Sequence, residues 1–375
     1  MQICVLGAGM VGGVMARDLA GRHEVTAADR SETALARLAA YGIHTQQLDL
    51  TDVSALAGFV RPFDLVVSAV PGFMGFRTLK VLIEAGKNIA DISFFPEDAL
   101  DLDALAKRRG VTALVDIGVA PGMDNLILGH HDAHMRVTRF ECLVGGLPQH
   151  PQPPFNYKAP FSPIDVIEEY TRAARLQRAG KVVTLPALSE RETVEFDGVG
   201  RLEAFNTDGL RSLLKTMAHI PEMAEKTLRY PGHAALIEAL EQSGFFSTEM
   251  LDIGAVKVRP LDLAVKLLLE QWKLAPDEPE FTVMRVTVEG EEDGKRLRHV
   301  WEVHDEYDAA TGFSSMARTT GFTCTAAANL LLDGRFREPG VHPPEIVGRD
   351  AGCFDYIVAH LKERHVNYRH RATAL

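Results

Sequence analysis

The sequence has few cysteines and no long apolar segment. Its four cysteines, Cys4, Cys142, Cys324 and Cys353, lie far apart and form no CxxC pair. This pattern is typical of buried thiols in a reducing compartment rather than of a disulfide framework. No run approaches about 18 consecutive apolar residues, so no membrane-spanning helix is predicted. The first residues lack the basic and apolar regions of a secretory signal, and we expect a cytoplasmic protein.

An excess of basic residues is also missing. Lys and Arg total 40 against 51 Asp and Glu, so the formal net charge is −11. Phosphate backbones and anionic membranes require concentrated Lys and Arg, so neither a nucleic acid nor a membrane is expected as a partner. His130, His131 and His134 lie close together but form no HExxH motif, and no metal is predicted. The 375 residues, 46% of them apolar, suffice for two globular domains.

The first third of the chain alternates short apolar runs with helical segments. Strands separated by helices of this length indicate right-handed βαβ units and a parallel sheet covered on both faces. The predicted strands are 2–6, 24–28, 43–48, 64–69, 88–92 and 112–117. We therefore predict the α/β class, with a doubly wound parallel sheet of the Rossmann type.

After about residue 122 the pattern changes to that of an α+β region with an antiparallel or mixed sheet. A hairpin is predicted over 281–303, and its edge can serve for pairing with another subunit. A late helix is predicted over 320–332, with Thr319 as its cap and Thr320 near a cofactor. The other predicted helices of this region are 208–218, 232–243, 261–272 and 354–363.

A glycine-rich motif follows the first strand and opens the first helix: Gly7-Ala8-Gly9-Met10-Val11-Gly12. Gly7 permits a tight turn, Gly9 allows the backbone to approach a pyrophosphate, and Gly12 lets the helix pack closely on the sheet. The N–H groups at the helix N-terminus attract phosphate. These residues, including Met10 and Val11, are therefore predicted to bind a dinucleotide.

The second strand ends in Asp29, 20 positions after Gly9. A carboxylate there accepts hydrogen bonds from the adenosine ribose and repels a 2′-phosphate, so NAD is favoured over NADP. The adjacent Arg30 opposes this preference, because its guanidinium can receive that phosphate. Asp49, after the third strand, can contact adenine or cap the next helix, as can Asp52.

Two further segments follow strands of the predicted parallel sheet. Ala69, Val70 and Pro71 come after the fourth strand and are expected to pass beneath the nicotinamide ribose. Ser93 follows the next strand and is predicted to contact cofactor or substrate, unless it merely begins a helix. Ligands of such sheets bind at the carboxyl ends of the strands, where all these residues lie.

Four later segments carry a resemblance to a known family. They read DIGVAPGMD at 116–124, VGGLP at 144–148, FNYKAPFSP at 155–163 and KTLRYPGH at 226–233. Together with the glycine-rich motif, they resemble the saccharopine dehydrogenase-like superfamily over essentially the whole chain. The resemblance implies a Rossmann NAD-binding domain of residues 1–122 plus 314–375, with a substrate-binding and oligomerisation domain of residues 123–313 inserted. It also implies a homo-oligomer, such as a dimer.

Within this superfamily the chain looks most like the lysine 6-dehydrogenases. These enzymes oxidise the ε-amine of L-lysine with NAD to 2-aminoadipate 6-semialdehyde and ammonia. Val144 stands where saccharopine reductases have cysteine, and Asn206-Thr207-Asp208-Gly209 lacks the arginine of their Asn-Arg-Asp-Ser. A missing cation favours a substrate with one carboxylate fewer, as lysine has compared with saccharopine.

Two alternatives remain open. Saccharopine and carboxynorspermidine dehydrogenases or reductases share the same motifs and act on a secondary amine. The third possibility is a nucleotide-binding sensor without turnover, which the polar residues crowded at 116–163 disfavour.

The chemistry of amine oxidation requires a base. An ammonium with a pKa of about 10.4 must lose a proton before hydride leaves its carbon. Lys158 is the first candidate for this acid–base role, since a lysine near a substrate cation has a lowered pKa, and an ordinary exposed lysine is the alternative. Asp124 is the second candidate, and it either holds the substrate ammonium or caps a helix.

An amino-acid substrate also needs partners for its charged groups. Arg229 can clamp the α-carboxylate through a bidentate pair, or it can form a structural ion pair. The predicted substrate-binding residues are Ser93, Asp124, Tyr157, Arg229, Tyr230 and His233.

Overall fold

The computed structural model describes residues 1–159, 163–275 and 277–375, apart from the side chains of 163–165. Residues 160–162 of the FNYKAPFSP segment therefore lie outside the described residues. No helix of the described part is long and apolar enough to cross a membrane. The strands of this part are β1 (Gln2–Leu6), β2 (Glu24–Asp29), β3 (His44–Gln47), β4 (Leu65–Ser68), β5 (Asn88–Asp91), β6 (Thr112–Leu114), β7 (Arg136–Pro148), β8 (Ala174–Arg178), β9 (Lys181–Leu185), β10 (Glu192–Phe196), β11 (Gly200–Asn206), β12 (Glu222–Arg229), β13 (Leu251–Ile253), β14 (Val256–Val258), β15 (Glu280–Glu292), β16 (Lys295–Glu306), β17 (Gly340–His342) and β18 (Arg369–Ala374).

Helices cover both faces of the first sheet and one region of the second. They are α1 (Met10–Ala20), α2 (Glu32–Ala39), α3 (Val53–Phe59), α4 (Gly72–Glu84), α5 (Asp103–Arg109), α6 (Met123–Asp132), α7 (Pro163–Thr171), α8 (Leu213–Thr216), α9 (His233–Gln242), α10 (Pro260–Trp272), α11 (Ser315–Leu332), α12 (Pro344–Gly348) and α13 (Ala351–Glu363), with a 3₁₀ helix at Ala99–Leu102.

The first sheet has seven strands in the order β17-β6-β5-β4-β1-β2-β3, and all neighbouring strands run parallel. Its central strands β1 and β4 are almost wholly buried, because helices pack on both faces. The predicted α/β class with a Rossmann sheet is confirmed, and β17 shows that a C-terminal segment completes it. The parallel direction places the carboxyl ends of all these strands at one edge.

The second sheet is mixed, and its main path runs β10-β11-β12-β7-β15-β16-β18. Strand β12 is parallel to β7, whereas its partner β11 is antiparallel. Because β18 pairs with β16, the end of the chain returns to this sheet instead of the first. The predicted domain boundaries assign β18 to the Rossmann domain, whereas β18 pairs with a strand of the second sheet. The boundaries themselves stay predictions.

The predicted hairpin forms, but its surroundings differ from the expectation. Strands β15 and β16 pair from Phe281↔Glu306 to Glu292↔Lys295. They turn at Asp293 and Gly294, whose positive φ angles of 47° and 74° suit a tight hairpin turn. The prediction of a free edge was wrong, because β15 also pairs with β7 and β16 also pairs with β18.

Two helix predictions also need correction. Only α8 is helical within the predicted 208–218 segment, whose first residues follow β11 as a loop. Helix α11 begins five residues before Thr320, because the Ser314 hydroxyl accepts a hydrogen bond from Ala317 N at 3.3 Å and so caps it. Thr319 is therefore not the cap; its hydroxyl donates to Ser315 O inside the helix.

Helices α6 and α12 approach each other closely through two glycines. A Cβ added at Gly129 would lie 2.0 Å from Glu345 O, and one at Gly348 would lie 2.2 Å from Leu126 O. Only glycine permits this separation of the two backbones. Since α6 begins at Met123, within the 116–124 segment, the contact also positions that segment.

We expect Gly129→Ala to lower the free energy of unfolding by about 1–3 kcal/mol or more, because the added methyl group overpacks a rigid backbone contact. Chemical denaturation measures this change. The matched control is Gly58→Ala in α3, where an added Cβ meets nothing within 4 Å. The control should raise stability by about 0.5–1 kcal/mol, as alanine does in an exposed helix. Equal effects of the two substitutions would contradict the close approach.

Candidate active site

A cavity of about 390 Å³ lies at the carboxyl edge of the first sheet and extends over β7 and β12 of the second. One side is formed by Gly9–Gly12 and by residues 69–71, which are among the residues predicted to bind the cofactor. The other side is formed by residues of the second sheet and of α7. Met316 and Thr320 of α11 also line the cavity, and the expected position of Thr320 near a cofactor stays a prediction.

The glycine-rich turn has the geometry of a phosphate cradle. Gly7 has φ 94°, and an added Cβ there would lie 2.5 Å from Ala69 O. At Gly12 an added Cβ would lie 2.0 Å from Gly7 O, so the turn and α1 are in close contact. Gly9 caps α1, and its added Cβ meets no described atom within 4 Å. The open space is therefore beside Gly9, where the N–H groups of α1 can bind the diphosphate of a dinucleotide.

Asp29 ties this turn to the end of β2. Its Oδ2 accepts a hydrogen bond from Ala8 N at 2.7 Å, and its Oδ1 accepts one from Ser31 N at 2.8 Å. Arg30 beside it is exposed. Asp49 accepts from the Thr51 hydroxyl and backbone, which lowers the pKa of Asp49. The helix cap is Asp52, so the capping alternative for Asp49 was wrong and its contact with adenine stays a prediction.

Strand β12 forms the floor of the substrate side. Glu225, Thr227 and Arg229 alternate along it and all line the cavity. The neighbouring β7 contributes Val144 and two glycines, and an added Cβ at Gly145 would lie 2.6 Å from Leu228 O. Sequence reasoning selected Arg229 and missed Glu225. The two-residue period of a strand was the available signal, since residues 225 and 229 share a face.

Carboxylates dominate the polar lining. Four of the five are paired with arginines at N···O distances of 2.5–3.1 Å. The five carboxylates are Asp116, Glu168, Glu169, Asp208 and Glu225. The pairs are Asp116–Arg211, Glu168–Arg172, Glu169–Arg229 and Asp208–Arg175. The five carboxylates and their arginine partners therefore include one more acidic than basic side chain.

Glu225 is the carboxylate without an arginine among the described residues. It is 5% exposed, and its Oε2 is buried with no hydrogen-bond partner in the described part of the chain. Burial raises its pKa well above the ordinary value, and the charges of Asp124, Glu169 and Asp208 add to this rise. A cation that enters the cavity would stabilise the ionised form of the Glu225 carboxylate.

The two predicted acid–base residues lie outside the lining of the cavity. Lys158 donates from Nζ to Gln271 O at 3.0 Å, at the end of α10. This placement disfavours Lys158 in proton transfer. Asp124 is 2% exposed, and its Oδ1 accepts from Gly122 N at 2.9 Å. Burial, with the charge of Glu345, raises the pKa of Asp124 to about 7. Asp124 thus lies behind the cavity, close enough to Glu225 for its charge to raise the pKa of that residue.

Arg229 lies on a layer of buried aromatic side chains. Its Nε donates to the Tyr170 hydroxyl at 2.8 Å, and its guanidinium lies 4.4 Å from the centre of the Tyr157 ring. The His233 ring also contacts Tyr170, at 3.0 Å, and lies behind Arg229. Burial and the charge of Arg229 lower the pKa of His233 to about 3. Tyr157 and His233 therefore support Arg229, which alone of the three lines the cavity.

Two other predicted residues lie behind the lining as well. The Tyr230 hydroxyl donates to Pro148 O at 3.0 Å. Ser93 is 2% exposed, its backbone N donates to Asp91 Oδ1 at 2.6 Å, and its hydroxyl lies 3.4 Å from that of Ser68. The residues on either side of it, Ile92 and Phe94, line the cavity instead. The roles of Tyr230 and Ser93 in ligand binding stay predictions.

A separate histidine cluster lies outside this cavity. One ring nitrogen from each of His131, His299 and His370 falls within 4.8 Å of the other two, a spacing that can hold a metal ion. His131 is thus grouped with His299 of β16 and His370 of β18, and not with His130 and His134, its neighbours in the sequence. Trp301 Nε1 donates to His131 Nε2 at 2.9 Å, so the lone pair of that nitrogen is already engaged.

The glycine cradle, the parallel sheet and the adjoining acidic cavity define a dinucleotide-dependent oxidoreductase. Comparison with protein-family models agrees with this class. Residues 3–114 match the saccharopine dehydrogenase NADP binding domain, and residues 118–366 match the saccharopine dehydrogenase C-terminal domain. The chain belongs to the saccharopine dehydrogenase family, and it is an oxidoreductase that acts on CH–NH₂ groups with a nicotinamide cofactor.

Similar proteins span nearly the whole chain. The saccharopine dehydrogenase (NADP(+), L-glutamate-forming) of Pyricularia oryzae is 25% identical over 91% of this chain and 92% of its own length. The carboxynorspermidine synthase of Vibrio cholerae is 22% identical over 93% of both chains. The solved structure of apo saccharopine dehydrogenase (L-Glu forming) from Saccharomyces cerevisiae covers all of both chains with a TM-score of 0.80 at 22% identity, which shows a shared fold.

Gly9→Val should weaken binding of the reduced cofactor by at least about 100-fold, because the new side chain fills the space for the diphosphate. Fluorescence titration with NADH and NADPH measures the affinity. The melting temperature should stay nearly unchanged, since an added Cβ at Gly9 meets no described atom. Gly13→Ala is the matched control, because its Cβ makes only ordinary contact with Leu38 inside the protein. Unchanged affinity in Gly9→Val would overturn the cofactor site.

Proposed function

We propose that this chain oxidises the ε-amine of L-lysine to 2-aminoadipate 6-semialdehyde and ammonia. The observation that carries the proposal is the excess of carboxylates over arginines in the cavity. Lysine carries two ammonium groups and one carboxylate, so its net charge is opposite to that of the lining when Glu225 is ionised. Saccharopine, with three carboxylates and two amines, has a net negative charge and fits an acidic lining less well.

Different residues of the cavity are proposed to bind the substrate, to hold the cofactor and to exclude water. Arg229, with Arg172 near it in the lining, is the proposed partner of the α-carboxylate. The N-terminus of α1 holds the diphosphate of the cofactor, which supplies the hydride acceptor when it is bound. The apolar residues Val144, Ile92 and Met316 reduce the access of water to the reacting carbon.

A second candidate is an enzyme that forms or cleaves a secondary amine. The names of the Pyricularia oryzae and Vibrio cholerae relatives support it, since both are similar to this chain over more than nine tenths of its length. A polyamine that carries a single carboxylate shares the cationic character of lysine. Because both substrates are cationic, the charge of the cavity does not distinguish the two candidates. The amine that the chain oxidises distinguishes them.

The test is a panel of amines assayed with the purified chain and each oxidised cofactor at alkaline pH. We expect reduced nicotinamide to accumulate with L-lysine alone, because a larger share of the ε-amine is then unprotonated. L-Ornithine and L-norleucine serve as controls for length and for the amine. Activity only with saccharopine or carboxynorspermidine would select the second candidate. Cofactor binding without turnover of any amine would select a sensor.

For the cofactor, we infer NADP in preference to NAD from the comparisons. The matched domain is described as NADP binding, and the yeast and Pyricularia oryzae relatives are named for NADP(+). The prediction of NAD from Asp29 finds no support there. Asp29 is engaged with Ala8 N and Ser31 N, so its carboxylate has a structural role besides any contact with ribose. Arg30 is the proposed partner of the 2′-phosphate.

Arg30→Ala should weaken NADPH binding by about tenfold or more and leave NADH binding within about twofold, since only NADPH offers a phosphate to the guanidinium. Titration of both cofactors measures the ratio. The exposed Arg37 near the end of α2 provides the control Arg37→Ala, which should change neither affinity. A loss confined to NADH, or none at all, would return the preference to NAD.

A further inference from the structure

We propose that Glu225 binds the reactive ammonium group of the substrate and takes up its proton. The inference deepens the proposed amine oxidation and rests on it for the identity of the substrate. It assigns to Glu225 the acid–base role that the sequence suggested for Lys158.

Glu225 lies in a gap that the surrounding backbone leaves open for it. A Cβ added at Gly209 would overlap the Glu225 carboxylate, so the absence of a side chain at this position leaves room for that group. The Thr227 hydroxyl on the same face of β12 is occupied by Thr207, at 2.9 Å. Oε2 of Glu225 is buried without a hydrogen bond in the described part of the chain. The undescribed side chains, PFSPID at 160–165 and Pro276, include no basic residue.

The spacing along β12 matches the length of lysine. Residues 225 and 229 are four positions apart on one face, or about 13 Å at the usual rise of a strand. An extended chain of six bonds, as from the α-carboxyl carbon to the ε-nitrogen, spans about 7–8 Å. One hydrogen bond at each end adds about 2.8 Å. The extended substrate is thus comparable in length to the backbone separation of the two residues, so a carboxylate held at Arg229 directs the ε-nitrogen along β12 towards Glu225.

The proposed step balances in protons and electrons. The substrate enters as R–CH₂–NH₃⁺, and a carboxylate oxygen of Glu225 takes one N–H proton to leave R–CH₂–NH₂. With the oxidised cofactor held at the N-terminus of α1 as the hydride acceptor, the carbon would lose hydride and R–CH=NH₂⁺ would form. Water then adds to that carbon, the C–N bond breaks, and R–CHO and NH₄⁺ leave. Glu225 finally releases its proton to solvent, so one proton is produced for each amine oxidised.

The groups that face Glu225 explain how it responds to the substrate. Asp124 on α6, Glu169 on α7 and Asp208 after β11 all raise its pKa, and Arg211 opposes them. The raised pKa favours the protonated form of Glu225 when no cation faces it. An arriving ammonium favours the ionised form, so binding of the charged amine is coupled to the loss of a proton from Glu225. Affinity for the ammonium therefore rises with pH until Glu225 is ionised in the free protein.

The experiment compares Glu225→Gln with wild type in the full chain, saturated with the reduced cofactor. Calorimetry measures the binding of L-lysine and of L-norleucine, which lacks only the ε-amine. We expect wild type to bind L-lysine at least about tenfold more tightly, and Glu225→Gln to lose this preference. Calorimetry in buffers of different ionisation enthalpy should show proton release with L-lysine in wild type and none in Glu225→Gln.

Two further variants control for charge and for folding. Glu222→Gln makes the same change on the same strand outside the cavity, where the side chain accepts from Ala179 N, and it should keep the lysine preference. Gly209→Ala displaces the Glu225 carboxylate without removing it, because the new methyl group occupies the position of Oε2. It should reduce the preference as Glu225→Gln does, and it gives the test if Glu225→Gln fails to fold.

The outcomes separate this inference from the proposed function. Retained lysine preference and turnover in both Glu225→Gln and Gly209→Ala would overturn the role of Glu225 and leave lysine oxidation standing. A wild type that does not distinguish L-lysine from L-norleucine would also overturn it. Loss of the preference in both variants, with no turnover of any amine by wild type, would support the binding role and overturn the proposed function.

Discussion

The burial of carboxylates beside the cofactor site is the constraint on which the arrangement of the cavity depends. An ionised carboxylate taken out of water must be paired, protonated or matched by a ligand cation. Arginines from four different segments meet this requirement for Asp116, Glu168, Glu169 and Asp208. Glu225 has no such arginine among the described residues, so its carboxyl group is either protonated or paired with a cation of the substrate. A cationic amine in the cavity is therefore the partner that would stabilise the ionised form of Glu225.

The fold brings these groups together because two sheets end at the same place. The parallel sheet directs its loops to one edge, and β12 and β7 pass that edge with their side chains facing it. Gly145 and Gly209 have no side chain, and a Cβ at these positions would overlap Leu228 and Glu225, respectively. The floor of the substrate side is therefore built on a strand and its neighbours in the sheet.

The sequence predicted the cofactor half of the site better than the substrate half. The glycine-rich turn and residues 69–71 are local motifs, whose function follows from a short run of backbone. Glu225 belongs to the site only because β12 lies parallel to β7 and across from Gly209, contacts that join distant parts of the chain. Lys158 was selected for its position in a loop, and its ammonium instead binds the carbonyl at the end of α10.

A carboxylate also suits this chemistry better than the lysine that the sequence suggested. A lysine base becomes a cation when it accepts the substrate proton, just as hydride loss places a positive charge on the substrate nitrogen. Glu225 becomes neutral in the same step, so no repulsion develops beside the forming iminium. The remaining carboxylates of the cavity then face that new charge, and electrostatic stabilisation of this kind favours the transition state over the neutral amine. An acidic cavity that holds one carboxyl ready to change its charge therefore serves both the binding of the ammonium and the loss of hydride.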